Sequence, residues 1–455
     1  MRNLVPTLFA VLLVAACSGE PKARPAARVL LVGIDGVEWS VLRPLLAQGK
    51  CPNLRSLMDR GAFGRLATMQ PTLSPILWTT IATGRTPEEH GILGFTDADL
   101  HQYSSAQRRG RALWNIADRH GLESSVFGWW ITWPAEAIRG TMVSGTSSSA
   151  LLDANWKPAL LPGEPGQVHP EERTAVIMEI AERAGSREEV ERLASEEVFR
   201  DLDPSARAPV ERRLVQETLW SIQSDATYFE IARTMLRERP ADLAMIYLGG
   251  PDVVGHRFWR YYEPAAFRWP GAPEVKVTEA LARAIPNYYE WIDEMLGALV
   301  EAAGPDVAVI VCSDHGMHAF STDAPGERFL SGHHLDAPPG VIVAAGPGIA
   351  RSGDVRAFLA GADPQPLGHV LAMTPTILAL LGIPRSREMS EMGIEALLAG
   401  EARRNVYLEP VATHDEDFRA PSRVQTPEAM NRNFVERFKG LGYIGSETPE
   451  PSPPK

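Results

Sequence analysis

Cysteine is scarce: Cys17, Cys51 and Cys312 are the only three in 455 residues. So few thiols exclude a disulfide scaffold and a closed zinc site built on thiolates. Cys312 lies inside an apolar run, so it reads as a buried free thiol. Positive charge is also short, with 45 Lys and Arg against 57 Asp and Glu and a net charge of −12. The acids are spread along the chain, which excludes nucleic-acid binding through a broad basic face. An anionic substrate would need a local source of positive charge, and metal ions are the obvious one. No repeat of solenoid period occurs. The rest is ordinary globular composition, 44% hydrophobic and 22% charged, with ample material for a large core.

The one apolar segment near the start, Leu4 to Ala16, follows Arg2 and ends in small residues, the pattern of a secretory signal over residues 1–16. It is too short for a comfortable membrane span. The run Val14-Ala15-Ala16-Cys17 resembles a bacterial lipoprotein cleavage box, with Cys17 the lipidated first residue. Ser18 after it resembles the outer-membrane sorting pattern. The expected product is lipid-anchored in the bacterial cell envelope, facing the periplasm. Residues 17–27 then form a tether, 28–445 one catalytic domain, and 446–455 a disordered tail.

Four apolar runs without alternation read as strands buried on both faces: Arg28 to Asp35, Asp242 to Gly250, Asp306 to Asp314 and Gly340 to Gly346. Helical patterns lie between them, among them Trp39 to Ala47, Cys51 to Arg60 and Ala280 to Ala302. From Arg111 a helix, a Gly stop and a strand ending near Trp130 follow one another. Strands alternating with helices predict a mostly parallel sheet covered on both faces. Residues from about 150 to 215 turn charged and helical, as an insertion would, and the next helix should pack back on the sheet domain. Trp129, Trp130 and Trp133 either wall a cleft or pack beneath a loop.

The stretch Pro71 to Ile92, PTLSPILWTTIATGRTPEEHGI, holds Ser74, Pro75, an apolar-periodic run and Gly84. Ser at an N-cap, Pro at the first helical position and Gly past the end predict one short helix. Its positive end would favour both an alkoxide at Ser74 and a bound phosphate, although a plain capping role is the other reading. Acids and acid–His pairs fall just after the buried strands: Asp35, Asp252 with His256, and Asp314 with His315. His334 follows in the loop SGHHLDAPPG. Each alone is weak; their joint place at strand ends is what a shared cleft needs. Asp and His together suit zinc or manganese better than calcium.

These pieces resemble the alkaline phosphatase superfamily, in particular its type I phosphodiesterase/nucleotide pyrophosphatase branch. The strand ending in Asp35, the Ser74 segment, GPDVVGH, SDHGM and the His334 loop occur in that branch's order across most of the chain. The resemblance implies an α/β three-layer sandwich with a helical insertion. It implies a phosphoric ester hydrolase, expected here to be a phosphodiesterase, acting through a phosphoserine on Ser74 with two divalent cations, zinc or alternatively manganese. Asp35, Asp314 and His315 would hold one cation, which Ser74 also contacts. Asp252, His256 and His334 would hold the other, with His333 as the rival to His334. His318 and His90 are expected to be structural.

Two departures narrow this. Phe95 stands where the resembling pyrophosphatases carry an Asn that contacts phosphate. Ser74 lacks the Pro two residues on and Arg four on that formylglycine sulfatases need. The expected substrate is a phosphodiester with a bulky apolar arm, for which Trp78, Phe95 and the three neighbouring tryptophans offer surface. A phosphomonoesterase, a phosphoryl transferase or mutase on the same core, and a non-catalytic metal-binding lipoprotein are the alternatives.

Overall fold

The computed structural model describes residues 25–145, 156, 159–203, 209–267, 275–320, 330–422 and 428–440. The signal segment, Cys17, most of the tether and the 446–455 tail lie outside the described residues. Among the described residues eleven strands appear in chain order: β1 (Arg28–Ile34), β2 (Ala62–Ala67), β3 (Ser124–Phe127), β4 (Gly140–Val143), β5 (Val168–His169), β6 (Leu243–Leu248), β7 (Val307–Cys312), β8 (His318–Ala319), β9 (Gly332–His333), β10 (Gly340–Ala345) and β11 (Pro366–His369). Nine form the central sheet in the order β11-β2-β10-β7-β1-β6-β3-β4-β5, while β8 and β9 make a separate hairpin.

The unalternating runs are strands with two buried faces, as their composition requires. Leu30, Val32 and Ile34 of β1 enter one core with Val307, Val309 and Val311 of β7. Val29 and Leu31 point the other way and join Ala308, Ile310 and Cys312 in a second core. Helices close both faces, giving three layers. At about 25 cal/mol per Å² of apolar area removed from water, such double burial is the largest favourable contribution these strands make.

β7, β1, β6, β3 and β4 run parallel. β10 is antiparallel to both its neighbours, and β5 is antiparallel to β4. The Gly340 run is thus a reversed strand, which apolar composition alone does not distinguish from a parallel one. Its reversal matters, because the loop entering β10 now lies at the carboxyl ends of the parallel strands. Register finishes the alignment: Gly33 pairs with Tyr247 on one side and with Cys312 on the other, so β1, β6 and β7 end level.

The strand expected to reach Trp130 stops at Phe127. The three tryptophans do more packing than walling: Trp129 and Trp133 are buried, and Trp130 is half-buried. The described part of the helical insertion is no detached cap. Ile177, Ile180, Val190 and Leu193 share a core with β1, and Pro209–Glu238 is one unbroken helix through the expected boundary.

Candidate active site

β1, β6 and β7 deliver the site. Asp35 follows β1 directly, and its backbone N–H donates to the Leu248 carbonyl. Gly36 turns the chain at φ 67°, and a Cβ there would lie 2.8 Å from Asp252 Cα, so only glycine lets the two loops meet. After β6 the helix Gly250–Tyr262 carries Asp252 and His256 four residues apart, on one face. After β7 come Asp314 and His315. The loop entering β10 brings His334.

All six side chains are buried and close together. His315 Nε2 lies 3.4 Å from Asp35 Oδ1 and 3.5 Å from Asp314 Oδ2. His256 Nε2 lies 3.3 Å from Asp252 Oδ1, and His334 Nε2 lies 3.7 Å from the same oxygen. The His315 and His334 rings stack at 3.9 Å. Potential ligand atoms of these buried side chains fall into two triads, each within 4.8 Å: Asp252 with His256 and His334, and Asp35 with Asp252 and His315; a third group, Asp97 with Asp99 and His101, is more exposed. The second triad differs from the expected Asp35–Asp314–His315 set. Asp252 stands between the two groups, and Asp314 lies against His315.

The hydrogen bonds aim nitrogen lone pairs inward. His256 Nδ1 pairs with the Gly332 carbonyl at 2.8 Å, and His315 Nδ1 with the Gly316 carbonyl at 3.0 Å. A carbonyl at Nδ1 fixes the proton there and leaves Nε2 as the donor atom for a cation. His333 is excluded from that role on its Nδ1 side, which accepts the backbone N–H groups of His334 and Leu335, both at 2.8 Å. This favours His334 over its neighbour. His90 bonds Thr80 and the Ile92 amide, and His318 bonds the Ala319 carbonyl; neither joins either triad.

Electrostatics point to cations. Burial, and then Asp252, raise Asp35 above the ordinary carboxylate range. Burial with Asp35 and Asp252 raises Asp314 well above it. Asp35 Oδ1, Asp252 Oδ1, both Asp314 oxygens and His315 Nε2 are sealed from water without a hydrogen-bond partner. Buried polar atoms are rarely left so, and mutually repelling carboxylates with unused lone pairs are what divalent cations satisfy. The residues present therefore fit divalent cations.

Ser74 opens the helix Ser74–Thr83 rather than capping it. Leu73 is the N-cap and supplies no side-chain cap, while Gly84 closes the helix at φ 67°. The sequence signal marks the helix start but does not separate the cap from the first helical residue. The Ser74 hydroxyl makes no hydrogen bond to a described residue and stays available. Two neighbours tie it to the acids. One turn on, Trp78 Nε1 donates to Asp35 Oδ2 at 3.1 Å, and two residues before it the Thr72 hydroxyl donates to the His334 carbonyl at 2.6 Å. Tyr247 donates to Asp35 Oδ2 at 2.6 Å. Sequence reasoning missed Thr72, Tyr247 and the polar role of Trp78. A phenol near the end of an otherwise apolar strand, and a tryptophan four residues past the serine, were the available signals.

Phe95 is no open surface. It is 4% exposed and packs with Phe434 and Phe438 of the helix Glu428–Gly440, its ring centroid 4.5 Å from that of Phe438. The expectation that it receives an apolar arm is corrected: the C-terminal helix already covers it. Trp130 rests against Phe95 on one side and Tyr247 on the other. Arg85, the one cation of the Ser74 stretch, bonds Glu388 and Asp415 at 2.6 Å each.

The model of the type I phosphodiesterase / nucleotide pyrophosphatase family matches residues 29–371. A 2,3-bisphosphoglycerate-independent phosphoglycerate mutase from Desulforudis audaxviator is 26% identical over 231 residues, 49% of this chain and 38% of that protein. The chain thus matches well under half the length of that relative. Among solved structures, a 2-O GAG sulfatase matches with a TM-score of 0.48 and 14% identity, over 82% of this chain and 73% of that one. Phosphonoacetate hydrolase from Sinorhizobium meliloti 1021, in complex with phosphonoformate, gives 0.38 and 18%, over 67% and 59%.

Proposed function

The chain belongs to the type I phosphodiesterase/nucleotide pyrophosphatase family, and from that premise we propose that it hydrolyses phosphodiesters through a phosphoserine on Ser74. Membership supports a phosphoryl hydrolase or mutase; the diester preference, the covalent intermediate and the residue roles are our reading. The observation that carries it is a serine at a helix start whose flanking residues bond two clusters of buried Asp and His side chains.

Asp35, Asp314 and His315 would hold one divalent cation and Asp252, His256 and His334 the other, with Asp252 near both. When bound, such a pair supplies positive charge that makes a serine oxygen nucleophilic and offsets charge on the phosphate. Ser74 Oγ attacks phosphorus and gives up its proton as the bond to the leaving alcohol breaks. Water then attacks the phosphoserine, releasing the monoester and restoring the hydroxyl. Trp78 and Tyr247 hold Asp35 in place, and Tyr247 keeps its proton because burial, then Asp35, raises it well above its usual value. Thr72 holds the His334 backbone.

A monoester brings additional negative charge that an Arg or Lys would be expected to meet. Arg85 is already committed to Glu388 and Asp415, which favours diesters. The test is kcat/KM for matched aryl phosphate mono- and diesters on one zinc- or manganese-loaded preparation, with trapping of phosphoserine at Ser74. A clear monoester preference overturns the diester assignment, and turnover without labelled Ser74 overturns the mechanism. Similarity to a mutase keeps phosphoryl transfer to an alcohol as the second reading, separable by product analysis with an added acceptor. The lipid anchor at Cys17 is a proposal of the sequence, tested by mass spectrometry of the mature N-terminus.

A further inference from the structure

The helix Pro209–Glu238 sends one carboxylate to the start of the helix that carries Asp252 and His256. Asp225 is 1% exposed. Its Oδ1 accepts the Gly249 N–H at 2.9 Å; its Oδ2 accepts the Gly250 N–H and the Tyr288 hydroxyl, both at 2.9 Å. Those amides open the helix Gly250–Tyr262, whose N-cap, Gly249, has no side chain with which to satisfy them. The first N–H groups of a helix need an acceptor, and Asp225 supplies it from another helix. The fit is closed on the far side as well, since a Cβ at Gly250 would overlap the Tyr288 hydroxyl.

The consequence falls on one half of the site. Asp252 lies two residues past Gly250 and His256 one turn further, so the first turn of this helix sets where both point. Asp35, Asp314 and His315 come from the ends of β1 and β7, and of these Asp35 meets that turn through Gly36 against Asp252. Resting on the two-cation reading above, we propose that Asp225, braced by Tyr288, is a positioning residue for the cation held by Asp252, His256 and His334. The helix following the insertion is thereby linked mainly to that ion, two of whose ligands lie on the helix it caps, and to the other only through Asp252.

Zinc titrated into the full, chelator-stripped chain and followed by calorimetry tests this without reference to turnover. Asp225→Asn keeps the size but sets an amide N–H₂ against one backbone N–H. It is expected to weaken one ion roughly 10–100-fold, the usual effect of losing an outer partner of a ligand, and to weaken the other, which shares only Asp252, by a clearly smaller factor. Tyr288→Phe keeps both amide bonds and is expected to weaken the same ion by a smaller factor. Equal weakening of both ions, or two wild-type affinities in Asp225→Asn, overturns the positioning role. Should Asp225→Asn fail to fold, a Tyr288→Phe protein with two wild-type affinities overturns it. A wild-type chain that binds fewer than two zinc ions overturns the two-cation reading itself.

Discussion

Replacing Ser74 with alanine separates a nucleophile from a helix cap, because the two roles predict opposite results. As a cap, the serine would lose about 1 kcal/mol of stability on conversion to alanine. The structure assigns the cap position to Leu73 and leaves Ser74 as the first helical residue, with no hydrogen bond from its hydroxyl to a described residue. Alanine is the better helix former by up to about 0.7 kcal/mol, so the variant should match or slightly exceed wild-type stability. All six candidate Asp and His ligands remain, so metal content should persist. Turnover should fall by about 10⁶, the scale seen when a serine nucleophile is deleted, which is about 8 kcal/mol of barrier. Urea midpoints, elemental analysis and steady-state rates on an aryl phosphodiester read the three quantities from one preparation. A variant that is about 1 kcal/mol less stable yet retains most of its activity would make Ser74 a structural residue and refute the mechanism.

Asp314→Ala and His256→Ala should each lose metal and activity, whereas His318→Ala, outside both triads, should lose neither; equal losses for all three would overturn the ligand assignment. His90 is held neutral, its pKa lowered to about 3 by burial and then by Arg108 and Arg85. The unfolded chain therefore binds the extra proton first as pH falls, and stability should drop by up to about 1.4 kcal/mol per unit below about pH 6.5. Urea titrations of wild type and His90→Gln at pH 7.5 and 5 should show a shallower loss in the variant, and parallel losses would contradict it. Phe438→Ala should release the Glu428–Gly440 helix without global unfolding, because that helix packs on a small cluster with Phe95 and Leu330. Protease sensitivity confined to the helix and an unchanged melting midpoint are expected, and a cooperative fall in the midpoint would show that the helix belongs to the main core.

The buried strands were legible because burial on both faces forces unbroken apolar runs, and a run that ends in Asp35 or Asp314 announces where polarity returns. The Asp and His cluster was legible for the same reason: several such residues fall at or just past the ends of those runs, where the strands bring them together. The sequence also marked the Ser74 helix through Pro75 and Gly84. Pairing of ligands was not legible, since Asp252 comes to lie between the two groups only when Gly36 lets the Asp35 turn approach it. The choice of His334 over His333 depended on which ring spent its Nδ1 on backbone amides. Nor could composition reveal that β10 runs backwards, because a strand buried on both faces looks the same in either direction. That reversal puts the His334 loop at the carboxyl ends of β1, β6 and β7. Phe95 read as open surface because only tertiary packing brings Phe434 and Phe438, more than 300 positions later, across it. Local chemistry thus determined which residues could serve the site. Long-range packing decided which of them meet, because contacts between distant segments leave no mark on either segment alone.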